Sequence, residues 1–293
     1  MNDFWIVVTG ILVAVNCGLL GVFLILRGAA MTGDALSHAV LPGIAAAYLL
    51  SGSRHSAVML IGAALTGWLA AYLIEWLKKK IRLQNDASIG ITFTFLFATG
   101  VILISAFSGN IDLDLDCVLY GDIAYVPLER IYAGSGDLGP APVWLLGGNL
   151  VPVAALVTFG YRGLLVTTFD PGFARGIGIA SGGWHYLLMG AVSLTVVLSF
   201  SAVGAILVTA FLTVPPATAY LISKRLVPMI WWTVLFGVIS AVGGFIAALR
   251  LDTAISASMA VVSGALFAAV FILLRLSKLR KQADRSRLNF SRK

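Results

Sequence analysis

An aspartate and a histidine four residues apart, Asp34 and His38, stand in the stretch MTGDALSHAVLPG at the head of an apolar run. A spacing of four puts both side chains on one face of a helix. A carboxylate oxygen beside an imidazole nitrogen is a donor pair for divalent Mn, Fe or Zn rather than for an alkali ion. An ionisable residue within a membrane costs about 2.5–3.5 kcal/mol on insertion scales, so one that is kept there usually faces an ion path or a partner. Pro42 follows His38 by four and has no N–H, which predicts a His38 carbonyl left without its helical partner and available as a further oxygen. The bland alternatives are an Asp34 that satisfies first-turn N–H groups and a His38 that packs against a neighbouring helix. The pairing of the two inside one span favours metal contact.

The elements that position this pair read as membrane spans. The chain has 293 residues, 59% apolar and 11% charged, with a mean hydropathy of +0.97. Apolar runs near the ~20 residues needed to cross a bilayer place spans near 4–26, 35–51, 57–77, 87–107, 142–161, 184–201, 203–222, 228–248 and 254–275. The expected fold is all-α: one polytopic bundle of about nine helices over 1–277, followed by a basic tail at 278–293. With the C-terminus inside, cytoplasmic segments hold 17 of the 20 Lys and Arg residues and outer segments only Arg54, Arg130 and Arg250. That asymmetry sets the N-terminus outside and the C-terminus in the cytoplasm. The net charge of +7 is thereby a membrane-face signal; no RNA- or DNA-binding motif accompanies it. Two cysteines make no disulfide framework, and no signal peptide is evident.

The outer segment, 108–141, carries Asp112, Asp114, Asp116, Asp122, Glu129 and Asp137 against Arg130. Its D-x-D-x-D start resembles a calcium loop, but position six is Cys117 and position twelve Ile123, which rules out an EF-hand. The segment is either a solvated acidic loop or a surface that attracts cations and docks a basic partner. No G-x-x-x-x-G-K-[ST] occurs in the chain, so it has no P-loop for ATP. A driving ATPase, if there is one, must be borrowed. The segment TTFDPGFARGIGIASGGWHY contains a helix start in Asp170 and Pro171, N-cap then N1, and glycines on its far side. Its core, 169–179, reads as a short surface helix, either an ordinary loop or a coupling helix seated in an ATPase groove.

Several of these stretches together resemble the permeases of the metal-ion ABC importers, the zinc, manganese and iron uptake systems. GDALSHAVLPG at 33–43, DASIGITFTFLFATGVIL at 86–103, FDPGFARGIGI at 169–179 and VGAILVTAFLTVPPATAYLIS at 203–223 carry the likeness, which extends over about 5–275. DLDLDCVLYGDIAYVP at 112–127 is most similar to the manganese branch, with Asp122 where Glu is common. The resemblance implies a type II ABC importer permease in the bacterial cytoplasmic membrane. It implies no cofactor of its own, ATP on partner ATPase subunits, a second permease chain, an extracytoplasmic metal-binding protein and surrounding lipid. It implies metal contact at Asp34 and His38, and coupling through Asp170, Pro171, Phe173, Ala174 and Arg175. Two Asp and two His would then meet on a two-fold axis.

Pro215 and Pro216 should break the span at 203–222 and form a hinge, as Pro42 forms a gate candidate. Asn16 and Cys17 are explained by tight helix packing or as a polar lining. His55 reads as a solvated loop histidine, His185 beside Trp184 as an interfacial residue, and Asp252 with Arg250 as an outer surface pair. A chelate importer of the siderophore or vitamin B12 kind would need no metal ligands. A gradient-driven carrier would need no docking loop, and an intramembrane protease would need the H-E-x-x-H helix that is missing.

Overall fold

The computed structural model describes residues 2–51, 56–107, 123–133 and 136–290. The helices are α1 (Asn2–Leu26), α2 (Met31–Ala39), α3 (Leu41–Ser51), α4 (Ser56–Lys80) and α5 (Asn85–Phe107). After a 3-10 turn at Ile123–Leu128 and strands β1 (Arg130–Ala133) and β2 (Gly136–Pro140) come α6 (Ala141–Phe159), α7 (Tyr161–Phe169) and α8 (Pro171–Gly176). The chain closes with α9 (Ser181–Val203), α10 (Ala205–Ile222), α11 (Leu226–Leu251) and α12 (Ile255–Phe290). Among the described residues, nine helical stretches are long and apolar enough to cross a membrane, α2 and α3 together making one of them (Met31–Ser51).

The most apolar runs do not all serve the same purpose. In α1, 72% of its apolar window is buried within the protein, against 17% in α12. α1 is therefore the bundle's axis and α12 turns most of its side chains outward. α6, α9, α10 and α11 all pack on α1, and α12 lies on α10 and α11. A polar clasp sits at the centre of this packing: the buried Asn149 amide donates to Asn16 Oδ1 (3.2 Å) and Thr195 Oγ1 (2.8 Å), and Asn16 donates to the Leu12 and Leu146 carbonyls. A satisfied amide inside an apolar bundle fixes the register of the helices it joins. Asn16 is thus packing, not a pathway lining, and Cys17 likewise is buried against Ser199.

In the 108–141 segment β1 and β2 pair antiparallel with Arg130 opposite Pro140 and Ala133 opposite Gly136, and among the described residues this hairpin is the one departure from an all-helical fold. The last candidate span ends at Ser277, and the helix α12 runs on from it through the basic tail to Phe290. Pro215 and Pro216 do not break their span, and α10 passes through both. They remove the N–H partners of the Phe211 and Leu212 carbonyls, and α1 closes over one of these, since a Cβ at Gly21 would strike the Leu212 oxygen. Freed carbonyls at membrane depth are tolerated where protein covers them.

The junction between α9 and α10 is short. It is a single residue, Gly204, at φ +82°; an L side chain rarely adopts that value, and the chain can turn there without a loop.

The helix pair α2–α3 is held by close backbone approach. Gly43 of α3 faces Gly62 of α4 so tightly that a Cβ on either would meet the other's carbonyl, the small-residue contact by which membrane helices gain dispersion energy. Gly33 of α2 packs on Leu212 of α10, a side chain with no exposed surface. Gly33→Ala should cost about 1–3 kcal/mol by overpacking and push the neighbouring Asp34 off α10. Thermal unfolding and uptake should both fall; an unchanged uptake rate would mean that the α2–α10 spacing is unimportant to the site.

Candidate functional site

Asp34 lies in the first turn of α2, where the helix dipole favours a negative charge, and His38 lies one turn on. Asp34 Oδ1 is 3.8 Å from His38 Nε2, too long for a strong ion pair and open enough for an ion to lie between them. Their side chains are 50% and 25% exposed, so neither is sealed into the bundle. A third oxygen comes from α10, where the Thr209 hydroxyl lies 3.4 Å from Asp34 Oδ1 and also donates to the Ala205 carbonyl at 2.9 Å. Asp34, His38 and a face of α10 including Thr209 and Thr213 line a cavity of about 410 Å³. Phe93 and Phe97 of α5 stand against the His38 ring at centroid distances of 5.4 and 6.1 Å and limit how far the imidazole can swing. The arrangement offers one carboxylate, one imidazole and a hydroxyl on an open wall. Among the described residues no three His, Cys, Asp or Glu side chains converge, so a metal ion at this wall would find too few ligands for a closed site.

Pro42 supplies no N–H to the His38 carbonyl; the Val40 N–H turns onto that oxygen in its place. Pro42 packs on Gly100 of α5, where a Cβ would lie 2.8 Å from the proline nitrogen. The break between α2 and α3 is a step in hydrogen bonding at Val40, whose carbonyl accepts from both Gly43 and Ile44.

In the 169–179 segment the helix start is as expected: the Phe173 N–H donates to Asp170 Oδ1 at 2.8 Å, and Pro171 takes the first helical position. Arg175 Nε donates back to the Pro171 carbonyl at 3.1 Å. Phe173 and Ile177 are exposed, at 58% and 52%. Ala174 is a correction, because its methyl is wholly buried against its own chain and has no surface to offer a partner.

His185 is not an exposed interfacial residue. Its Nε2 lies 3.2 Å from Glu75 Oε2 and its Nδ1 3.3 Å from Arg27 Nη1, while Lys79 Nζ holds the other Glu75 oxygen at 3.0 Å. Arg27 also donates to the Thr167 and Thr168 hydroxyls at 3.1 and 3.0 Å. Burial draws the Arg27 guanidinium down from its ordinary range and the Glu75 charge pushes it back up, so it stays a cation. Trp184 next door fills the space over Gly160 and Gly163. The signal for Glu75 was present in the sequence: it is a carboxylate inside the span at 57–77, subject to the same cost as Asp34. Asp252 closes α11 in the left-handed conformation at φ 51°, and no ion pair joins it to Arg250 among the described residues. His55, Asp112, Asp114, Asp116 and Asp122 lie outside the described residues.

The nine candidate spans among the described residues define a polytopic membrane protein, with Asp34, His38 and Thr209 on one wall between α2 and α10. A model of the ABC 3 transport family matches residues 3–274, and the chain belongs to that family. It is 45% identical over 270 residues to the manganese transport system membrane protein MntD of Bacillus subtilis (strain 168), covering 92% of this chain and 91% of that protein. It is 36% identical to the zinc transport system membrane protein TroD of Treponema pallidum (strain Nichols), covering 90% and 72%. Among solved structures, PsaBC from Streptococcus pneumoniae in complex with Fab aligns at a TM-score of 0.74 with 32% identity, over 91% of this chain and 90% of that one. An inward-facing putative metal-chelate type ABC transporter, at a TM-score of 0.62 and 16% identity over 92% and 85%, shares the fold alone.

Proposed function

We propose that this chain is the membrane-spanning permease of an ATP-driven importer of a divalent transition metal, manganese first and zinc or iron after it. The observation that carries the reading is the open Asp34–His38–Thr209 wall. It has the donor chemistry of a transition-metal contact and too few ligands to trap the ion, as passage requires. The relatives named for manganese and zinc transport support the choice of metal. A chelate importer fits less well, since ionised ligands in its path would serve no purpose.

The chain has no P-loop, so ATP is hydrolysed by partner ATPase subunits that dock at 169–179, with Phe173 and Ile177 as apolar contacts and Asp170, Pro171 and Arg175 shaping the helix. A second permease chain, identical or paralogous, brings its own Asp and His to the first pair. A metal-binding protein delivers from the outer side, the basic end of the bundle faces the cytoplasm, and the N-terminus lies outside. Missing two internal hydrogen bonds at Pro215 and Pro216, α10 can bend where it borders the site. Expressed in its host with an affinity tag, the chain should bring down an ATPase subunit in near-equal amount. A chain that drives uptake without any ATPase would be a gradient-driven carrier instead.

Asp112, Asp114 and Asp116 would draw in cations and steer the metal-binding protein by charge, which affects association more than dissociation. Their joint change to Asn should slow association about tenfold or more at low salt and flatten its salt dependence, as read by surface plasmon resonance. An association rate equal to wild type at every salt concentration leaves the segment a solvated loop.

A further inference from the structure

A second cavity, of about 520 Å³, lies at the opposite end of α2 from His38, walled by the ends of α1 and α4 and the starts of α8 and α9. Four cations line it, Arg27, Lys78, Lys79 and Arg175, against the single carboxylate of Glu75. Lys79 takes that carboxylate at 3.0 Å and lies over the Tyr186 ring at 5.6 Å. Among the described residues, the hydrogen-bond partners of the other three are neutral groups or an imidazole. Arg27 is held by two threonine hydroxyls and His185, Lys78 by Asn85 Oδ1 at 3.2 Å, and Arg175 by a backbone carbonyl. No carboxylate lies within ion-pair distance of these three among the described residues.

The wall between these cations adds further donors. α9 begins at Ser181 with no side-chain cap, so its first N–H groups are unsatisfied within the helix; Ser181 and Gly182 line the cavity. Deeper in, Ala71, Ile74 and Met189 make an apolar back wall. Cations, hydroxyls and helix-start amides around one concavity match the non-ester oxygens of a phosphate. The position, level with the ends of four spans, and the apolar back wall suit the root of a lipid.

We propose that this cavity is a phosphate-binding site for the headgroup of an anionic phospholipid. The Arg27 guanidinium, fixed by Thr167 and Thr168, offers its remaining N–H groups to the phosphate, and Lys78 and Arg175 add their charge to the same concavity. The bound headgroup ties the end of α4 to the start of α8 and α9 and so stiffens the bundle at that end. This inference does not depend on the metal assignment.

The test uses the full-length chain in neutral detergent, titrated with short-chain phosphatidylglycerol, phosphatidylcholine or inorganic phosphate, with melting followed by tryptophan fluorescence. Phosphatidylglycerol should raise the melting temperature saturably by about 5 °C or more, and phosphatidylcholine should not. Lys78→Ala with Arg175→Ala should shift the half-saturating concentration at least about tenfold. Lys224→Ala with Arg225→Ala, which removes the same charge at the same end, should leave it within about twofold. If the first double variant does not fold, Lys78→Gln alone should still weaken the response about threefold. Inorganic phosphate acting alone with the same loss in the variant keeps the phosphate site and makes its source soluble. An equal loss in both double variants, no saturable response to either phosphate, or protection only by an added ATPase subunit would overturn the proposal.

Discussion

Asp34→Ala and His38→Ala should each reduce ATP-driven metal uptake by at least about 100-fold, since even the outer partners of a metal ligand cost about 10- to 100-fold when removed. Assembly and basal ATP hydrolysis should persist, because both side chains face a cavity and neither holds the bundle together; Asp34 is half exposed and its nearest partners stand at 3.4 and 3.8 Å. Thr209→Val should have a smaller effect, about 3- to 10-fold, since the hydroxyl is a weaker donor than either charged or imidazole ligand. The order of the three, with expression measured alongside uptake, separates metal contact from packing. Loss of protein instead of transport in the Asp34 and His38 variants would return the pair to a structural role.

Phe173→Glu should weaken the hold of an ATPase by about 2 kcal/mol or more, roughly 30-fold, as removal of a central apolar anchor does. Phe173 is 58% exposed on a six-residue helix whose start is fixed by the Asp170 cap, so the change leaves the permease fold intact. Ala174→Glu is the contrasting variant. Its methyl has no exposed surface, and a buried carboxylate without a partner damages the fold itself. Co-purification of the ATPase with both variants distinguishes the effects: Phe173→Glu should yield a stable permease without ATPase, and Ala174→Glu little permease at all. Full ATPase recovery with Phe173→Glu would make 169–179 a loop with no docking role.

The spans were legible because a membrane asks a simple question of a helix, about 20 apolar residues, and the answer is local. So was the Asp34–His38 pair, whose i, i+4 spacing is a property of one helix. What lay across helices was not legible. Thr209 stands 175 residues from Asp34, and Glu75, His185 and Arg27 come from three helices or helix ends. In a bundle whose helices are apolar on all sides, no stripe marks which face meets which neighbour. Ala174 shows the same limit on a smaller scale, since six residues give too few turns to say which face is inside. Pro215 and Pro216 show another: a proline removes a hydrogen bond, and whether the helix then breaks depends on what packs over the freed carbonyl, here Gly21 of α1.

In the proposed function, ATP hydrolysis moves a divalent transition metal across the membrane past Asp34 and His38. Proteoliposomes holding the purified permease, its ATPase and its metal-binding protein should accumulate Mn2+ only when ATP is supplied on the ATPase side. The same vesicles made with His38→Ala should hydrolyse ATP without accumulating the metal. Accumulation that needs an ion gradient in place of ATP, or that proceeds at the wild-type rate in His38→Ala vesicles, would contradict the account.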